Sequence, residues 1–205
     1  MNAKRLISAA LLCATFAAVG LLRGADAADE MKRLAALMDW KQGTIVADIG
    51  AGDGRFAFAA AQIVGPSGKV FATEIDTEKL AKLRSEVAKR HLDNVTVLES
   101  KEADTNLPAE CCDAIFLRRV YHHLTKPAEF DAALVRSLKP GGRLALIEFP
   151  PRAGLEPVNG IPANRGGHGI PEKIAVEELT AAGLRLTKTV EHWPNSDYLV
   201  LFDKK

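Results

Sequence analysis

Val46-Ala47-Asp48-Ile49-Gly50-Ala51-Gly52-Asp53-Gly54-Arg55-Phe56 is the stretch on which the reading of this chain turns. It joins a short apolar strand, Thr44–Ile49, to a run of small and apolar residues, Arg55–Val64, that reads as a helix. Glycines at such a junction let the chain turn sharply and let a ligand lie against bare backbone. The helix start beyond them presents free N–H groups to negative charge, a carboxylate as readily as a phosphate. The spacing then narrows the ligand. A dinucleotide fingerprint, Gly-x-Gly-x-x-Gly/Ala, needs a small residue where Arg55 stands. A triphosphate-binding loop needs Gly-Lys-Ser/Thr, which the chain lacks. Gly65-Pro66-Ser67-Gly68-Lys69 looks similar but precedes a strand and reads as a turn.

Outward from this loop, strands and helices alternate. Lys69–Glu74 is a second strand. Thr77 opens an amphipathic helix with Leu80, Leu83, Val87 and Leu92 on one face, ended by Asn94. Val95–Leu98, Asp113–Leu117 and Arg143–Glu148 are further strands, with a helix over Ala128–Leu138 and a turn at Pro140-Gly141-Gly142. Glu172–Ala182 is a helix stopped by Gly183. Leu184–Val190 and Tyr198–Phe202, separated by Pro194-Asn195, read as an antiparallel pair. Ahead of the loop, Leu34, Leu37 and Met38 mark a helix from Asp29, which stands at its cap. This order predicts an α/β, doubly wound, mainly parallel seven-stranded sheet with an antiparallel C-terminal strand. The one long irregular segment, Pro150–Pro171, carries five glycines and is expected to act as a mobile lid.

Composition sets the bounds. The 205 residues suit one domain with a real core. A net charge of +1 leaves no electrostatic footprint for nucleic acid, and 6% aromatic content is thin for base stacking. Cys111 and Cys112 are adjacent, with no C-x-x-C and no metal-ligand spacing, so neither a disulfide framework nor a metal site is expected. The N-terminus differs from the rest. Lys4 and Arg5 precede an apolar run, Leu6–Leu22, and then Ala25-Asp26-Ala27. These are the three parts of a secretory signal peptide, with cleavage expected after Ala27. That leaves a domain over 28–205, exported to the periplasm or secreted. An uncleaved anchor through 6–22 is the alternative, at the lower edge of spanning length.

Asp48-Ile49-Gly50-Ala51-Gly52-Asp53-Gly54 resembles the S-adenosylmethionine (SAM) motif of class I methyltransferases, which have a Rossmann-like fold. The resemblance implies that this loop, with Ala51 and Asp53, packs against the amino-acid part of SAM. It also implies that Asp48 helps to hold the ammonium. Glu74, with Ile75 beside it, stands where the family places a ribose-binding carboxylate, which can accept both hydroxyls. Asp76 is read as a helix-entry residue. Lys101-Glu102-Ala103-Asp104 resembles the segment meeting the adenine amino group. Glu102 takes that role with Ala103 next to it, and Asp104 is the other candidate. Asp113–Leu117 with Tyr121-His122-His123-Leu124, and Leu138–Leu144, are also similar to the family. The likeness runs over about residues 31 to 205.

The implied function is transfer of a methyl group from SAM to a small-molecule acceptor. Non-catalytic SAM binding is an alternative, and a dinucleotide-dependent oxidoreductase a more distant one. The donor is already activated, so alignment carries much of the work. A base is needed only where the acceptor loses a proton. His122 is the candidate for that role, with His123 and His168 also near the strand ends. Arg118 and Arg119 are read as binding an anionic acceptor group or as satisfying a loop, and Tyr121 as packing.

Overall fold

A computed structural model describes residues 26–205 of the chain. The expected signal peptide and the alternative anchor therefore lie outside the described residues, apart from Asp26 and Ala27. Those two sit in a helix, α1, over residues 26–38. Asp29 lies inside α1 rather than capping it, and accepts a bond from Lys32 at 3.2 Å. No helix among the described residues is long and apolar enough to cross a membrane.

Seven strands form one sheet: β1 (Ile45–Ile49), β2 (Lys69–Glu74), β3 (Val95–Glu99), β4 (Cys112–Arg118), β5 (Leu138–Glu148), β6 (Leu184–Trp193) and β7 (Asp197–Lys204). Their order across the sheet is β3-β2-β1-β4-β5-β7-β6. Neighbours from β3 to β5 are parallel, and β7 runs antiparallel between β5 and β6. The order reverses between β1 and β4, and ligands of open α/β sheets bind in the crevice at such a reversal. Helices α2 (Arg55–Val64), α3 (Thr77–Lys89), α4 (Pro127–Ser137) and α5 (Glu172–Ala181) cover the faces.

Alternation along the strands builds two cores. In β4, Ala114 and Phe116 pack with α1 and α2, while Ile115 and Leu117 pack with α4 and α5. Strands buried on both faces show a near-continuous apolar run, as Ile115-Phe116-Leu117 does.

Two of the boundaries that differ from expectation have clear local reasons. Helix α3 stops at Lys89, short of Asn94. Asn94 instead donates through Nδ2 to the carbonyls of Ala61 and Gly65, at 2.9 and 3.0 Å, and fastens the end of α2. The expected turn at Pro140-Gly141-Gly142 lies within β5, where the register to β4 shifts between Cys112 and Ala114. An irregularity of this kind accommodates the glycines without ending the strand.

Candidate active site

The loop after β1 is held by side chains from β2. The amide of Gly52 donates to Glu74 Oε2 at 3.0 Å, and the amides of Ile75 and Asp76 donate to Oε1 at 2.9 and 3.0 Å. The amide of Ala51 donates to the Thr73 carbonyl at 2.8 Å. Glu74 is thus buried against both the glycine loop and the end of β2, and acts as the clasp between them. Asp76 caps α3, its Oδ1 accepting from the amides of Glu78 and Lys79.

Gly50, Gly52 and Gly54 all have positive φ. Their surroundings differ in a telling way. A Cβ on Gly54 would lie 2.4 Å from Phe58 and 2.5 Å from Leu83, so this glycine serves packing. A Cβ on Gly52 would meet nothing nearer than the Gly50 carbonyl at 3.9 Å, so it faces open space. Gly54→Val is therefore expected to unfold the protein. Gly52→Val should cost about 1–2 kcal/mol in backbone strain, yet fill the space where a ligand would lie. Thermal melts and ligand titration of the two variants check this contrast.

That space is a cavity of about 580 Å³ whose wall runs from Gly50 and Gly52 past Glu74 and Ile75 to Glu102, and on to Arg118 and His123. A second cavity, lined by Asp53 and Arg55, adjoins it around the same loop. Asp48 lies buried beneath, and one carboxylate oxygen, Oδ2, has no hydrogen-bond partner. Burial pushes its carboxyl up to about 8, with Asp53 and Glu74 adding to the shift, against an amide bond from Ala57 and the charge of Arg118. A carboxyl raised in the folded state binds a proton that the unfolded chain releases. Stability is then fully present below the unfolded value near 3.8 and declines as pH rises toward about 8. Asp48→Asn is expected to flatten that decline in urea titrations between pH 5 and 8.

At the far end of the cavity, Glu102 stands on the rim. Its carboxylate accepts from Thr125 Oγ1 at 2.6 Å and Lys126 Nζ at 2.9 Å, bonds that hold it below the usual carboxylate range. Asp104 is committed elsewhere, to the Asn106 amide and Arg136, and does not line the cavity. Ala103 shares the turn with Glu102 but is also absent from the wall.

The arginines after β4 are tied down. Arg119 grips Asp197 with two bonds of 2.8 and 2.7 Å, in a positive-φ conformation. Arg118 donates to Glu30 of α1 at 2.8 Å and lies over the Phe56 ring. Glu30 also accepts from Trp193 Nε1 at 2.8 Å. Arg119 thus serves a loop contact, whereas Arg118 commits its Nε to Glu30, and both still line the cavity.

The three histidines gather. His122 lies in a 3-10 turn, Tyr121–His123, with ring centroids 4.0 Å from His123 and 5.3 Å from His168. His123 faces the cavity, and His122 lies behind it, buried and paired with Glu148. Among the described residues, no group of three or more His, Cys, Asp or Glu side chains is placed to hold a metal ion.

The segment expected to be a lid is anchored at its C-terminal half. Arg165 is fully buried and donates to the carbonyls of Leu124 and Tyr121 at 2.7 and 3.0 Å. The Ile170 amide bonds to Phe149, and Tyr198 bonds to Ile170. Lifting this part would strand a buried guanidinium, so it cannot swing as a free flap. Sequence reading missed Arg165 and Glu148. Glu148 had a signal, a charged residue closing the apolar run Leu144–Ile147; Arg165 had none.

Residues 47–146 match the protein family described as a methyltransferase domain. That segment is thus similar to a methyltransferase domain, the fold is that of the class I SAM-dependent methyltransferases, and SAM is the methyl donor of that family. A solved SAM-dependent methyltransferase from Aquifex aeolicus has a TM-score of 0.72 to this chain at 27% identity, covering 85% of this chain and 89% of that one. The ubiquinone/menaquinone biosynthesis C-methyltransferase of Francisella philomiragia is 33% identical over 115 residues, 53% of this chain and 44% of that protein. Nocamycin O-methyltransferase of Saccharothrix syringae is 31% identical over 115 residues, 56% of this chain and 41% of that protein. The match thus spans less than half the length of these curated relatives.

The residues present fit the donor. Gly52 leaves the backbone bare, Glu74 has acceptor capacity beyond its three amides, and the orphaned Asp48 oxygen suits an ammonium.

Proposed function

We propose that the protein transfers a methyl group from SAM to a small-molecule acceptor. The observation that carries this reading is the single cavity running from the bare Gly52 backbone and Glu74 to His123. Bound there, SAM supplies an activated methyl group. The chain's own task is to orient it: Glu74 fixes the sugar, the loop and Asp48 fix the amino-acid end, and the β4 end sets where the acceptor approaches. Calorimetry with SAM and with NAD, followed by an acceptor screen with methyl-labelled SAM, tests the proposal. Heat with SAM and none with NAD is expected, with label transferred to an acceptor. SAM binding with no transfer to any acceptor would favour a non-catalytic role.

Asp48 gives this binding a pH signature. An ammonium beside it favours the ionised carboxylate, so binding expels a proton. Between pH 6 and 7.5, where the ligand's own amine stays mostly protonated, affinity should rise about tenfold per pH unit. The slope should vanish in Asp48→Asn, and an unchanged slope there would remove Asp48 from the site.

We also infer export, with residues 1–27 removed. Its support is the basic start, apolar run and Ala25-Asp26-Ala27. Removal takes away three basic residues and one acidic one, which leaves a net charge of −1. N-terminal sequencing of protein from the periplasmic fraction should begin at Ala28. A chain beginning at Met1 in the membrane fraction would favour the anchor.

A further inference from the structure

Glu148 is the last residue of β5 and is fully buried at the ligand end of the sheet. A carboxylate out of water is costly unless it is paired and hydrogen-bonded. The His122 amide donates to its Oε1 at 3.2 Å and the Phe149 amide to its Oε2 at 3.4 Å. The His122 ring places Nδ1 at 3.0 and 2.9 Å from the two oxygens. A carboxylate only accepts, so Nδ1 carries the proton. In the neutral ring, Nε2 then keeps its lone pair.

That Nε2 is buried and has no hydrogen-bond partner. A buried histidine held only for packing ordinarily has its polar atoms satisfied. Here one nitrogen is fixed by a carboxylate and the other is left open, which is the arrangement of an oriented base. Access runs past His123, whose ring rests on that of His122 and whose other side faces the cavity. Burial above all pushes His123 down to about 4, so it is neutral at physiological pH. Among the described residues its ring makes no hydrogen bond and is held by packing on His122 and His168, and this ring must turn for Nε2 to meet the cavity. The turn beneath is fixed by Arg165 on the carbonyls of Tyr121 and Leu124.

We propose that His122 and Glu148 form a base dyad, and that the acceptor is a weak acid carrying a phenolic or enolic hydroxyl. The proposal rests on the methyl-transfer reading above. In the step, the acceptor oxygen forms its bond to the methyl carbon. The carbon–sulfur bond breaks, and its electron pair stays on sulfur. The hydroxyl proton passes to His122 Nε2 and is later released to water. The sulfonium charge is thereby replaced by an imidazolium charge facing Glu148, so the net charge of the site is unchanged during transfer. Only His122 touches the reacting atoms; Glu148 acts through it and is a positioning residue.

Nitrogen-15 NMR of the full chain, labelled at histidine and loaded with S-adenosylhomocysteine, tests the dyad directly. At pH 8, His122 should show a protonated Nδ1 and a free Nε2. Saturating 4-methylphenol, which keeps its hydroxyl proton at that pH, should move the Nε2 signal upfield, as its lone pair accepts a hydrogen bond. In Glu148→Gln, the tautomer preference should be lost. A protonated Nε2 in the wild-type protein, or an Nε2 signal indifferent to the phenol, would overturn the proposal whether or not turnover is seen. With methyl-labelled SAM and phenols that are turned over, His122→Ala should lower kcat about 100-fold or more, with KM within about threefold. Glu148→Gln should shift the acid limb of the pH profile. Wild-type kcat in His122→Ala would overturn the dyad and leave methyl transfer standing. Absence of SAM binding by calorimetry would instead remove the underlying reading.

Discussion

Glu74→Ala is expected to weaken SAM binding at least 100-fold and to destabilise the fold by about 3 kcal/mol. Both effects come from one carboxylate. It accepts the amides of Gly52, Ile75 and Asp76, and hydrogen bonds to a charged group each contribute about 1.5–3 kcal/mol. The three donors lie near the surface of a cavity, so water recovers part of that loss. What water does not restore is the shape of the loop. Without the clasp, Gly52 is free to relax from its positive φ, and the open space beside it is no longer held open. Glu74→Gln separates the two roles. Its carbonyl oxygen can keep one side of the clasp, while its amino group cannot accept from a sugar hydroxyl. Stability should recover by about half, and affinity should stay at least tenfold weak. Urea titration and calorimetry of the two variants read these outcomes. Wild-type affinity in Glu74→Ala would show that the sugar is held elsewhere.

Arg165→Ala should cost about 3–5 kcal/mol, the largest loss expected from any single change in the Pro150–Pro171 segment. The guanidinium is fully buried, bonds two carbonyls, stands 3.1 Å from Glu178 and lies over the Tyr121 ring. Its removal leaves a cavity and the Leu124 carbonyl without a donor, while the Tyr121 carbonyl keeps only the Leu124 amide, next to Asp131, whose carboxyl burial already pushes up to about 7. The urea midpoint should fall with little change in the slope of the transition. The damage should also spread to the His122–Glu148 pair, because those carbonyls bracket its turn. A variant at Arg152, half-exposed in the same segment, should shift stability by less than about 1 kcal/mol.

The parts of this protein legible in the sequence are those fixed by local chemistry. Gly50-Ala51-Gly52-Asp53-Gly54 announces a strand-to-helix turn because few other residues tolerate positive φ there. Asp76 declares a helix start, and Glu74 two residues earlier declares the strand end. The alternation of apolar runs gives the parallel sheet and the antiparallel ending. What the sequence hides is pairing between distant residues. His122 was visible as a candidate base, but its place behind His123 depends on Glu148, 26 residues away. For Arg118 and Arg119 the sequence left two roles open, because their partners Glu30 and Asp197 are 88 and 78 residues distant. The glycines of Pro150–Pro171 suggested movement, and a single buried arginine among them sets the opposite behaviour for its C-terminal half.

Glu30 joins three distant parts of the chain at one carboxylate: α1, the end of β4 through Arg118, and the end of β6 through Trp193. Trp193 lies 163 residues beyond Glu30, so this junction closes only once the chain has been made through β6. A nascent chain therefore lacks a finished wall beside the glycine loop until β6 arrives, and removing α1 or β6 should register as slackness in the same pocket.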